Sequence, residues 1–187
     1  MRTFFAIKPP IPALEAMARE AAHLRGKITT GVKWTPASQI HLTIKFLGDF
    51  SPAHVHPLQE KLVSDWGQIG PIDLAATSIG VFPLKGDPRV IWYGIQTNPT
   101  LAFLARVIED TCADFGYARE KRPFNPHFTI GRVMRNAGKD EMRSVRQALH
   151  TLPDINQHPI TIESLYFIQS NLTPAGPQYR DLFTIQL

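Results

Sequence analysis

Two short stretches carry residue types that could do chemistry. His41-Leu42-Thr43-Ile44 and His127-Phe128-Thr129-Ile130 both read His, apolar, Thr, apolar. In a β-strand, side chains two apart share a face, so each stretch sets a His beside a Thr and sends two apolar side chains into a core. One such stretch is a polar spot on a sheet. Two of them, 86 residues apart in a chain of 187, can direct two imidazoles and two hydroxyls into one cleft.

Such a cleft suits phosphodiester hydrolysis. The reaction needs an activated nucleophile, a protonated leaving group and relief of charge on the phosphoryl oxygens. An imidazole, with an ordinary pKa of about 6.5, serves as general base or general acid. Hydroxyls and a guanidinium supply the third requirement. Thr43 and Thr129 stand beside the histidines, and Arg132 is the nearest cation. Arg132 lies five residues after His127, where strict alternation would turn it to the opposite face. It joins the site only if the strand bends or ends near Gly131, where a glycine is consistent with a bulge. The first half has Phe46 at that position, so the site is expected to be symmetric in His and Thr and asymmetric in charge.

The main competing chemistry is a zinc site. Two histidines are too few ligands, and no Asp or Glu recurs at matching spacing in these strands. His54 and His56 are expected on the surface of a helix start, and His23, His150 and His158 have no evident partners. A glycine-rich phosphate loop and a serine elbow are both missing. Phe82, Phe124 and Tyr179 sit in loops or at strand ends where a base could stack, but packing is the simpler expectation.

The elements that must position these residues recur in one order. Thr3 to Lys8 reads as a strand closed by Pro9-Pro10. A helix follows with Leu14, Met17, Ala18, Ala21 and Leu24 on one side and Gly26 suited to its C-terminal cap. A loop leads to the strand Ile40–Leu47, which Gly48-Asp49 ends. Ser51-Pro52 suits a helix start, and Val55, Leu58, Leu62 and Trp66 mark its apolar stripe. A strand spans Ile72 to Phe82. The second half repeats this: strand Val90–Gln96, a helix from Asn98-Pro99, the second His-x-Thr strand, a helix with Met142, Val145 and Leu149, and the strand Ile160–Gln169. A last strand covers Leu182 to Leu187. Phe5 matches Trp92 or a neighbour, His41 matches His127, and Pro71-Ile72 matches Pro159-Ile160. The expected fold is bilobal, a duplicated βαβαβ unit about a pseudo-two-fold axis. The halves run about 1–85 and 86–187 within a single domain, 1–187, because no linker divides them.

Composition adds bounds. The chain is 43% apolar and 19% charged, ordinary for a soluble domain. Its single cysteine, Cys112, excludes an internal disulfide and is expected as a buried thiol on a helix face. The N-terminus has only a short apolar run before Lys8, Pro9 and Pro10, so no signal peptide is read there. No 18-residue apolar run exists, and a cytoplasmic protein is the expectation. Net charge is +4. Between Tyr117 and Arg146, eight basic residues face three acidic ones, and that excess can attract a polyanion.

Gly31-Val32-Lys33-Trp34 and Ile40-His41-Leu42-Thr43-Ile44-Lys45-Phe46-Leu47-Gly48-Asp49 resemble the first signature of the RNA 2',3'-cyclic phosphodiesterase family. These proteins are also called 2'-5' RNA ligases and belong to the two-histidine (2H) phosphoesterase superfamily. Arg122-Pro123-Phe124-Asn125-Pro126-His127-Phe128-Thr129-Ile130-Gly131-Arg132-Val133 resembles the second. The resemblance covers essentially the whole chain. It implies a bilobal α+β fold with antiparallel sheets lining a central groove, and hydrolysis of a terminal 2',3'-cyclic phosphate to a 2'-phosphate. It implies no metal or nucleotide cofactor, RNA ends as the partner, no obligate protein partner, and possible reversal as 2'-5' ligation. By motif position, His41 would be the general acid and His127 the general base, with Thr43, Thr129 and Arg132 holding the phosphate. Two alternatives stay open: a non-catalytic nucleotide or RNA-binding module, and the same chemistry on a small nucleotide.

Overall fold

The structure, a computed structural model, describes residues 1–67, 69–96, 98–152, 159–174 and 176–187; His158 lies outside them. The order is β1 (Arg2–Ile7), α1 (Ile11–Lys27), β2 (Val32–Trp34), β3 (Leu42–Asp49), α2 (Val55–Trp66), β4 (Ile72–Phe82), β5 (Val90–Ile95), α3 (Pro99–Asp114), β6 (His127–Val133), α4 (Lys139–His150), β7 (Pro159–Ile162), β8 (Ser164–Thr173) and β9 (Gly176–Gln186). The strands run β7-β4-β5-β6-β3-β1-β8-β9, with β2 added on β6. Every pairing is antiparallel. The α+β, two-lobed expectation holds.

One pairing locates the symmetry. Leu42 of β3 pairs with Phe128 of β6, and these are equivalent residues of the two motifs. An antiparallel ladder that pairs a residue with its own counterpart has its two-fold axis between them. The far edge of one lobe repeats the relation: Ile72 pairs with Ile162 and Leu74 with Ile160. β4 pairs with β5 and β8 with β1, so each lobe draws strands from both halves of the chain.

The motif residues divide by face as alternation requires. Leu42, Ile44, Phe128 and Ile130 are buried with Phe5, Ile7, Met17, Leu58, Leu104 and Ile108 in the main core. Burying each large apolar side chain contributes about 1.5–3 kcal/mol, which pins the register and leaves the polar residues no choice of face. α2 packs on α3 and α1 on α4. Cys112 is buried among these side chains, and burial pushes its thiol up to about 12.

Several boundaries differ from the sequence reading. Gly26 does not cap α1; the helix continues to Lys27, and the Ile28 N–H donates to the Leu24 carbonyl. β3 begins at Leu42 and carries Gly48 and Asp49 within it, because β1 extends the ladder through Thr3↔Gly48 and Arg2↔Asp49. Ser51 makes no side-chain cap; a 3-10 turn, Pro52–His54, precedes α2. Asn98 does cap α3, accepting from the Leu101 N–H at 2.7 Å, with Pro99 in the first turn. The last two strands are longer than their apolar patterns, because β8 and β9 zip together from Ser164↔Gln186 to Thr173↔Gly176. β2 falls in a stretch read as loop.

Candidate active site

At the axis, β3 and β6 hold the motifs side by side. Continuing the Leu42↔Phe128 register sets His41 across from Thr129 and Thr43 across from His127. All four are half-buried and line a groove of about 1340 Å³ together with Arg132. Thus all five residues singled out by sequence meet in one place.

Arg132 reaches the groove because β6 bulges. Along β5, Trp92 pairs with Thr129 and Ile91 with Gly131, so Ile130 is an extra residue and the parity of the strand changes after it. The geometric condition set by Arg132's spacing is met by a bulge rather than by a strand end. β3 has the same irregularity: Ala6 pairs with Thr43 and Phe5 with Lys45, leaving Ile44 extra. Phe46 therefore mirrors Arg132, and it is 68% exposed on the groove. The same register makes Ala6, a neighbour of Phe5, the mirror of Trp92.

Each imidazole is anchored by the carbonyl two residues earlier. His41 Nδ1 lies 2.8 Å from the Gln39 oxygen, and His127 Nδ1 lies 2.8 Å from the Asn125 oxygen. A carbonyl only accepts, so Nδ1–H donates in both. Nε2 is left as the exchanging nitrogen on each ring. Phe4 stacks on His41 at 4.9 Å and Tyr179 meets it edge-on at 5.2 Å, while Phe82 meets His127 edge-on at 5.2 Å. Phe82 and Tyr179 are therefore contacts of the imidazoles rather than remote packing, and Phe124 lines the groove. Phe4 was the residue missed. Its only signal was its place next to the core residue Phe5 on an alternating strand.

Burial lowers the pKa of both imidazoles. The backbone bonds oppose that shift, and the Arg132 guanidinium adds to it. His41 also feels Lys8 and His127.

Among the described residues the remaining histidines are structural or solvated. His54 is half-buried: its Nδ1 shares a 2.9 Å hydrogen bond with the Tyr117 hydroxyl, and its ring meets the Phe50 ring edge-on at 6.1 Å. His56 lies beside Glu60, exposed. His23 and His150 are exposed. Among the described residues no three His, Cys, Asp or Glu side chains cluster.

A duplicated sheet with a His-x-Thr pair at its axis defines the class of two-histidine phosphoesterases. Residues 7–92 and 95–179 each match the family described as LigT like Phosphoesterase, and the chain belongs to that family. It is 31% identical to an RNA 2',3'-cyclic phosphodiesterase of Methanocaldococcus jannaschii, over 96% of each chain. A 32% match to one from Geobacillus stearothermophilus extends over 64% of this chain and spans 37% of that longer protein. In architecture it is similar to a Thermus thermophilus protein of known crystal structure, with a TM-score of 0.80, 23% identity and 100% and 98% of the two chains covered. No helix among the described residues is long and apolar enough to cross a membrane.

Proposed function

We propose that this protein opens the 2',3'-cyclic phosphate at RNA ends to a 2'-phosphate, using His41 as general acid and His127 as general base. The matched bonds from each Nδ1–H to a carbonyl two residues back carry this reading, because they leave both Nε2 atoms free for proton exchange in one groove. Relatives named RNA 2',3'-cyclic phosphodiesterase across nearly the full chain support the substrate.

The steps balance without a metal or nucleotide cofactor. His127 Nε2 takes a proton from water as its oxygen attacks phosphorus. The bond from phosphorus to the 3'-oxygen breaks, and His41 Nε2 gives that oxygen a proton. The products are a 2'-phosphate and a free 3'-hydroxyl. Solvent then resets both rings. Thr43, Thr129 and Arg132 hold the non-bridging oxygens, where charge builds in the transition state. Each proton transfer contributes roughly 10²–10⁴-fold. With the 5'-hydroxyl of a second strand attacking phosphorus in place of water, and the bond to the 3'-oxygen breaking as before, the same site would join RNA ends through a 2'-5' linkage. Residues 1–187 act as one unit, since each lobe uses strands from both halves. RNA ends in the cytoplasm are its partner, and no obligate protein partner is needed.

A substrate whose 3'-bridging atom is sulfur tests the roles. A thiolate leaves without a proton, so the sulfur analogue should restore turnover to His41→Ala and not to His127→Ala. Restoration of His127→Ala alone would reverse the assignment.

A further inference from the structure

At the offset of 86 residues that relates the motifs, β2 (Val32–Trp34) has a counterpart in Ala118, Arg119 and Glu120. β2 pairs with β6 and covers it beyond its motif, Lys33 lying opposite Arg132. Trp34 closes over the strand so tightly that a side chain at Gly131 would meet its ring at 3.1 Å. The counterpart does not cover β3. Among the described residues β3 pairs only with β1 and β6.

A buried lysine accounts for the difference. Lys45 is 3% exposed, where β6 has Gly131. Its ammonium donates to Glu109 Oε2 of α3 at 2.7 Å and to the Ala118 carbonyl at 2.8 Å. Glu109 Oε2 also accepts from the Glu120 N–H at 3.2 Å. Segment 118–120 is thereby tied to α3, and the groove runs on past Phe46 between β3 and α3. Arg106, Arg119, Arg122 and Phe124 line this extension. Arg119 and Arg122 pair with Asp110 and Glu120. Arg106 pairs with no carboxylate among the described residues and lies over the Phe103 ring, 5.4 Å from its centre.

We propose that this extension holds the RNA strand on the 5' side of the reacting end, its phosphates running over Arg106, Arg119 and Arg122. Lys45 and Glu109 are the prop that keeps it open. The proposal rests on the reading of the axis site as acting on RNA ends. It assigns a direction: the strand leaves over β3, where Arg106, Arg119 and Arg122 line the groove, and not over β6, where β2 covers the strand and adds Lys33 and Trp34 to the lining. Guanidiniums suit the task, since they pair with phosphate oxygens two at a time and keep their charge.

The test compares kcat/KM for a mononucleotide and a tetranucleotide, both ending in a 2',3'-cyclic phosphate, across a salt series. The wild type should favour the tetranucleotide, and the preference should fall with salt. Arg106→Ala should cut that preference several-fold and flatten the log–log salt slope by about 0.7, the share of one phosphate contact on a single strand. Lys33→Ala, on the β6 side of the groove, should keep most of the preference. Lys45→Met should lower it through KM more than kcat; if that variant does not fold, the two preceding variants decide. Equal turnover of both substrates by the wild type, or loss of the preference in Lys33→Ala rather than Arg106→Ala, would overturn the assigned path with the axis site intact. Failure of the wild type to turn over either substrate would overturn the reading of the axis site itself.

Discussion

β3 and β6 descend from the same pattern and differ beyond it. Both place a His, a Thr and two core residues before a bulge at Ile44 or Ile130. Beyond the bulge β3 has buried Lys45 and exposed Phe46, while β6 has Gly131 and Arg132. On the flanking strands, Trp92 of β5 mirrors Ala6 of β1. The shared part is what proton transfer needs, one imidazole on each side of the phosphorus. The differing part is what a directional substrate needs, since a phosphate with one leaving oxygen and one attached strand has no two-fold symmetry.

The largest effect comes from breaking the shared part. His41→Ala and His127→Ala should each lose roughly 10²–10⁴-fold in kcat on a cyclic-phosphate substrate. A loss in only one would make the site functionally one-sided. Removing the unshared cation should come next. Arg132→Ala should cost about 10²-fold, the usual effect of losing one group that stabilises transition-state charge. An effect under about threefold would place the phosphate elsewhere in the groove.

The Trp92 difference bears on stability. The indole lies across Gly80, where an added Cβ would sit 2.4 Å from the ring. Gly80→Ala should cost about 1–3 kcal/mol through overpacking, read as a fall of several degrees in thermal midpoint. An unchanged midpoint would mean that the indole has room to move.

The smallest effect is on pH dependence. Burial and then Arg132 both lower the two imidazole pKa values from the ordinary 6.5. The kcat/KM profile, which reports the free protein, should peak on the acid side of that value. A bound phosphate anion opposes Arg132 and favours imidazolium, so the kcat profile should lie at higher pH. Arg132→Ala should shift the kcat/KM profile upward. A wild-type profile centred well above the ordinary imidazole value would contradict the buried, cation-flanked setting.

The site was legible in the sequence because it is local and doubled. Two tetrapeptides at matching positions reveal the faces of two strands, and Gly131 marked the bulge that Arg132 requires. Asn98-Pro99 was legible for the same reason, since capping is a contact within one turn. What escaped depends on partners distant in the chain. β2 is three residues long, too short for any period, and exists because β6 offers it an edge. The β8–β9 hairpin extends through polar residues whose pairing is set by each other. Lys45 is turned inward to Glu109 by the bulge at Ile44, a contact with a residue 64 positions away that no local pattern shows. Gly26 gave a false stop, because α1 keeps its bonding through that residue.

The most direct measurement is product analysis on an oligonucleotide ending in a 2',3'-cyclic phosphate, in EDTA, for the wild type, His41→Ala and His127→Ala. The wild type should give a 2'-phosphate as its only product, and either variant almost none. A 3'-phosphate product, or full turnover by either variant, would contradict it.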